Sequence, residues 1–227
     1  MRKIFFFFII VLFANSISFA QEFGFKGGLS LANIYGEDRP DIDDDQSNPF
    51  KPGFNFAGFF RLGEGPFRYT VEAGFSQKGT LIKYPETSEN LGSYKPEQLF
   101  NLNYMDINAF GNYFISNRVS LDLGLGISFL INGQAKQVFN ATGVYADLIE
   151  DSSNPAVIGE DVTGLDLGVK LGASFYINEK IHADAHYYLG FLTLDPDNNS
   201  DFDPDKMFNN AIMISFGYKF LNTSLID

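Results

Sequence analysis

The chain has 227 residues, with 28 acidic against 16 basic side chains and a formal net charge of −12 at pH 7; that balance argues against nucleic-acid binding, which needs a basic surface. It has no Cys, which removes disulfides, thiolate metal sites and a lipidated-cysteine anchor together. Phe numbers 26, Tyr 11 and Gly 22, with no Trp: such rings can form membrane-interface girdles, and glycine suits a crowded narrow barrel.

The first twenty residues read as an export signal. Arg2 and Lys3 form a basic start, Ile4 to Ala14 an apolar run, and Ser18-Phe19-Ala20 a small-x-small cleavage site before Gln21. That run is too short for a spanning helix, and no later stretch approaches the ~18 consecutive apolar residues a transmembrane helix needs. Residues 21–227 are therefore expected to form one all-β domain.

Eight stretches alternate apolar with polar or small residues, the period of a strand with one apolar face. In 22–33, Phe23, Phe25, Leu29 and Leu31 oppose Glu22, Lys26 and Ser30. In 52–62, Phe54, Phe56, Phe60 and Leu62 oppose Asn55, Ala57 and Arg61. In 67–84, Phe67, Tyr69, Val71, Ala73 and Phe75 oppose Arg68, Thr70, Glu72, Ser76 and Lys78. In 98–115, Met105, Ile107, Ala109 and Tyr113 oppose Asp106, Asn108 and Asn112. Most regular is 119–132, where Val119, Leu121, Leu123, Leu125, Ile127, Phe129 and Ile131 oppose Ser120, Asp122, Gly124, Gly126 and Ser128. It is longer than the roughly 9–11 residues with which a tilted strand crosses a bilayer.

The alternation continues in 163–177, with Leu165, Leu167, Val169, Leu171 and Phe175 against Asp166, Gly168, Lys170, Gly172 and Ser174. In 180–194, Ile181, Ala183, Ala185, Tyr187 and Leu189 face away from His182, Asp184, His186 and Tyr188. In 209–220, Ile212, Ile214, Phe216, Tyr218 and Phe220 face away from Ala211, Met213, Ser215 and Lys219.

Connections sort by parity. Those after the second, fourth and sixth stretches are tight, while 34–51, 85–97, 133–162 and 195–208 are long, the pattern of a membrane barrel with short turns on its periplasmic rim. The long connections hold nineteen of the 28 Asp and Glu. Within them Asp195, Asp197, Asn199 and Asp201 place oxygen donors at alternate positions, which makes them weak Ca²⁺ candidates. Ser200 and Lys206 stand where an EF-hand loop requires Gly and Glu, so no EF-hand is expected.

One face of the strands gathers the charge. Lys26, Arg61, Arg68, Lys78, Lys170 and Lys219 meet Glu72, Asp106, Asp122, Asp166 and Asp184 there, with His182 and His186. An eight-stranded barrel is filled by its own side chains, and charges inside it must be paired. This near-balanced set is therefore expected to be an interior polar network, a plug instead of a pore. His182, Asp184 and His186 could also be read as an acid–base or metal ladder. Same-face residues on a strand lie roughly 6.6–6.8 Å apart, which puts the two imidazoles too far apart for one metal. A His–Asp hydrogen bond within the plug is the reading adopted.

Several segments carry a family resemblance: Phe25-Lys26-Gly27-Gly28-Leu29-Ser30-Leu31, Tyr104-Met105-Asp106-Ile107, Asn112-Tyr113-Phe114 and the closing Gly217-Tyr218-Lys219-Phe220. The chain resembles the PorT-type outer-membrane β-barrel family of Bacteroidetes. The resemblance implies an eight-stranded outer-membrane barrel, in a family some of whose members are linked to protein secretion.

The expected architecture is thus all-β: an eight-stranded antiparallel up-and-down transmembrane β-barrel in the cell outer membrane. It should be surrounded by lipid as a single copy, with no cofactor, no catalytic residue and no nucleic-acid partner, and offer its acidic loops to protein partners. Two alternatives stand beside it. One is a lipid-modifying enzyme that uses the His182/Asp184/His186 face; the other is a soluble lipocalin-like barrel whose apolar face lines a ligand cavity.

Overall fold

The computed structural model describes residues 22–36, 47–89, 92–142, 156–158, 162–194 and 207–222. The expected export signal, the Ca²⁺ candidates Asp195, Asp197, Asn199 and Asp201, and most of the acidic residues of the long connections lie outside them. The strands are β1 (Glu22–Gly36), β2 (Lys51–Leu62), β3 (Phe67–Lys83), β4 (Thr87–Glu89), β5 (Gly92–Ser116), β6 (Val119–Ala141), β7 (Ala156–Val157), β8 (Leu165–Tyr176), β9 (Ile181–Gly190) and β10 (Met207–Asn222). Eight of them form an antiparallel ring, β1-β2-β3-β5-β6-β8-β9-β10, which β10 closes on β1 and β5 on β6. The two short strands flank this ring, β4 paired to β5 and β7 to β6. The fold is an eight-stranded up-and-down β-barrel.

The alternation in the sequence becomes the two faces of the wall, and the usual burial is inverted. On β6, Leu121, Leu123, Leu125, Ile127, Phe129 and Ile131 are between 41% and 63% exposed, while Ser120, Asp122 and Ser128 are buried. A continuous apolar outer band of this kind has no place against water. It is the lipid-facing surface of a membrane barrel. Rings group on the same surface: Phe23 stacks on Phe60, with Phe25 edge-on to it and Phe220 tilted against it, and Phe75 lies between Phe54 and Phe56.

Glycine lets this narrow lumen hold bulk. A Cβ on Gly217 would lie 2.1 Å from the His182 ring, one on Gly168 2.4 Å from the Tyr188 ring, and one on Gly24 2.6 Å from the Phe59 ring. Each large inward side chain thus lies over a strand position that has none. At the tight-turn end Gly63 and Gly65 adopt φ of 101° and 72°, a region open to glycine at little cost. In the β8–β9 turn, Asn178 Oδ1 accepts the backbone N–H groups of Lys180 and Ile181, each at 2.8 Å.

All four expected long connections give residues to strands, and two of them give many. β5 begins at Gly92 and β6 runs to Ala141, so that 92–97 and 133–141 belong to a hairpin of 25 and 23 residues, each strand more than twice what a tilted crossing needs. The two strands satisfy one another's backbone groups, and the polar composition therefore does not end the ladder. Even Pro96 takes a place in it, opposite Phe139. Asn103 faces Asn132 while Tyr104 faces Leu130, which leaves Ile131 as the extra residue of a β-bulge.

Candidate functional site: the ion-paired lumen

All thirteen residues expected in the interior network face the lumen, and they fall into two layers. In the layer nearer the tight turns, the Glu22 carboxylate receives three cations: Arg61 at 2.8 Å, Lys219 at 3.0 Å and Arg68 at 3.2 Å. Arg61 Nε also donates to Thr70 Oγ1 at 3.0 Å. Thr70 donates to Asn112, whose Nδ2 donates to Asp122 at 2.6 Å. Ser120, Ser174 and His186 complete the shell of Asp122, at 2.9, 2.6 and 3.1 Å. The other ring nitrogen of His186 lies 3.0 Å from Asp184, and Lys26 joins Asp184 at 3.4 Å to Glu72 at 2.7 Å. Carboxylates held by this many donors are tolerable out of water.

The second layer centres on Lys78, whose residue is fully buried. Its Nζ lies 2.9 Å from both Asp166 Oδ2 and Ser128 Oγ. The ring centroids of Tyr188 and Tyr104 are 3.7 and 4.6 Å away, so the ammonium also rests against two π-faces. Ser128 donates on to Asp106, and Asn209 Nδ2 reaches both Asp166 (3.0 Å) and Tyr104 (3.1 Å). Lys170 differs. It is buried, its Nζ has Met213 Sδ at 3.8 Å, and it makes no ion pair among the described residues.

Above these layers, toward the long connections, the lumen turns apolar. Ile34, Leu102, Tyr104 and Leu194 form a buried cluster against which Leu130, Ile158, Val162 and Met207 pack. Below them it opens into a basin between the tight turns. Among the described residues the lumen is therefore closed toward the long connections and open only as a blind basin toward the tight turns.

His182, Asp184 and His186 occupy successive inward positions of β9, and each is buried. His186 bridges two carboxylates. His182 lies between aromatic rings, edge-on to Phe59 at 5.3 Å and stacked on Tyr176 at 5.5 Å, with its Nε2 3.7 Å from Asp184. A general base must come within hydrogen-bond reach of its substrate, and these imidazoles are enclosed by the wall, Phe59, Phe110 and the ion pairs. Among the described residues no group of three or more His, Cys, Asp or Glu is arranged to hold a metal ion.

Two ionic members escape the charge pattern. Glu22 stands on the polar face of β1 but was absent from the expected charge balance. Lys51, assigned to a connection, opens β2 inside the barrel and donates to the Lys78 carbonyl at 3.1 Å. With them the described lumen holds seven Lys and Arg against six Asp and Glu, a correction to the six and five read from the pattern. Phe59 and Phe110 are inward too; alternation hides them, because an apolar residue on the polar face looks like an irregularity.

The sequence matches the family model described as outer membrane protein beta-barrel domain, over residues 16–195. No curated protein matches it. Among solved structures it is similar to Ail, the attachment invasion locus protein of Yersinia pestis, at 15% identity, with 88% of this chain and 98% of that chain covered and a TM-score of 0.46. It is similar to Neisserial surface protein A at 12% identity, with 87% and 97% covered and a TM-score of 0.45. It is also similar to the outer membrane protease OmpT of Escherichia coli at 10% identity, with 88% and 95% covered and a TM-score of 0.35. Likenesses this distant carry no argument, and the assignment rests on the match over residues 16–195.

Proposed function

This chain belongs to the outer membrane protein beta-barrel domain family, and from that premise we propose that it is a small, sealed, non-catalytic integral barrel. In this reading it presents its long acidic connections to the outside and its tight turns to the periplasm. The observation that carries the reading is the inversion of burial: ionic side chains from all eight staves meet inside, and large apolar ones cover the outside. A lumen filled with paired charge and capped by an apolar cluster suits a wall element that holds its loops in place, not a channel.

The finer points rest on sequence. The basic start, apolar run and Ser18-Phe19-Ala20 site support export by a cleaved signal. The segments 25–31 and 217–220 support a place among the PorT-type barrels of Bacteroidetes. Nineteen acidic residues in the long connections favour protein partners or cations at the cell surface over nucleic acid. The ring closes on itself through β10 and β1, which supports a single copy in lipid.

The test is refolding of the full mature chain into phospholipid vesicles. A heat-modifiable gel band and no stepwise conductance across a planar bilayer are expected. Recovery as a water-soluble monomer that needs no detergent would reject the reading, and steady single-channel steps would reject its sealed lumen.

A further inference from the structure

The tight-turn end of the barrel is concave. Its three turns and the adjoining strand ends border an open basin of about 1160 Å³, somewhat larger than a usual small-ligand pocket. Arg68, Arg118, Lys180 and Lys219 line it, against the acids Glu22 and Glu179. Glu22 is already engaged by Arg61, Arg68 and Lys219. Arg118 and Lys180 are exposed, and neither makes an ion pair among the described residues. The floor is aromatic: the Arg68 guanidinium lies 4.2 Å from the Phe114 ring centroid, and Tyr176 borders the same space. Among the described residues the ion-paired layers and the apolar cluster close the lumen behind the floor, so a ligand enters and leaves by this mouth.

We infer that this basin binds an acidic extended peptide segment, such as an exposed tail of a periplasmic protein. The inference rests on the proposed orientation for which side of the membrane supplies the ligand, but not for the binding itself. Charge decides the sign. The whole chain is at −12 and its long connections are acidic, so the basin is a cationic region on an anionic molecule and locally favours carboxylates. Shape and lining decide the class. The space far exceeds a single small anion, and Phe114, Tyr176 and the rim residues Ile177 and Ile181 line it together with the cations. A peptide with alternating acidic and apolar residues meets both. Extended peptides place successive side chains on opposite sides, which lets carboxylates reach the rim while apolar groups settle on the rings.

The experiment uses the full mature chain refolded in zwitterionic detergent, and a fluorescein-labelled hexapeptide of alternating glutamate and leucine read by anisotropy. Binding is expected, and the double variant Arg118→Glu/Lys180→Glu should weaken it at least tenfold while keeping the heat-modifiable band. Lys95→Glu/Lys136→Glu, on the extended β5–β6 hairpin at the other end, should leave it unchanged. The inference is overturned by no binding, or by equal losses in the two double variants, which would mean overall charge alone. It is overturned as well if millimolar inorganic phosphate displaces the peptide at constant ionic strength, since the site would then be one for phosphate. A folded band with no binding rejects the basin and spares the barrel, whereas a missing band in the unsubstituted protein rejects the barrel itself.

Discussion

Replacement of Asp166 by Leu isolates the upper layer of the lumen. Lys78 is fully buried there, and its ammonium then loses the carboxylate at 2.9 Å while keeping Ser128 Oγ at 2.9 Å and the Tyr188 and Tyr104 faces at 3.7 and 4.6 Å. Removal of one partner of a buried pair costs roughly 3–5 kcal/mol. The two ring faces retain about 1–2 kcal/mol of favourable charge interaction, and Asn209 keeps Tyr104 as an acceptor. The expected loss for Asp166→Leu is therefore near the lower bound, about 3 kcal/mol. Lys78→Met should cost a similar amount, because Asp166 then keeps a single amide donor, Asn209. The double variant removes both charges and replaces them with apolar groups of comparable reach. It should lie within about 1 kcal/mol of the parent. The assay is equilibrium urea unfolding in phospholipid vesicles, followed by circular dichroism and by the heat-modifiable band, since the chain has no Trp to report. A double variant as unstable as the sum of the single ones would refute the reasoning, because the two groups would then not be partners.

Lys170→Met should stabilise the barrel by about 1 kcal/mol or more in the same assay, since this buried ammonium makes no ion pair among the described residues; a loss of stability would mean that it has a counter-charge. Leu125→Lys, at the middle of the outward row of β6, should cost roughly 2–4 kcal/mol in vesicles, and a cost near zero would mean that this face meets water. Gly217→Ala should cost about 1–3 kcal/mol through overpacking, because its new methyl would lie 2.1 Å from the His182 ring. His182→Ala placed beside it should recover part of that loss, and an additive double variant would show that the ring is not the obstacle.

Period-two alternation made the staves legible, and over 119–129 of β6 and 181–188 of β9 the inward residues could be named from sequence, because they alternate there with outward apolar ones. The inverted sense of the two faces was legible as well, since the charge all falls on one of them. Strand ends were not. The stretch around Pro96 carries turn-rich, polar composition, yet it pairs with β6 because a hairpin needs only its partner strand to satisfy its backbone. Lys51 sits beside Pro52 at the end of an acidic stretch, and only the closed ring shows that its side chain enters the lumen. Nor could the pairing be read. Lys219 meets Glu22 across 197 positions of sequence, and Lys78 meets Asp166 across 88. Such partners are set by where the staves fall around the ring, while local pattern gives only the face.

The account stands most directly on one measurement, protease treatment of intact cells of the native host followed by fractionation. Cleavage within the connection 133–162, with the remaining fragments protected and recovered in the outer-membrane fraction, is the result predicted for a barrel whose long connections face outward. Recovery of the chain in the soluble periplasmic fraction, with no protected core, would contradict it and leave the apolar face to line a ligand cavity.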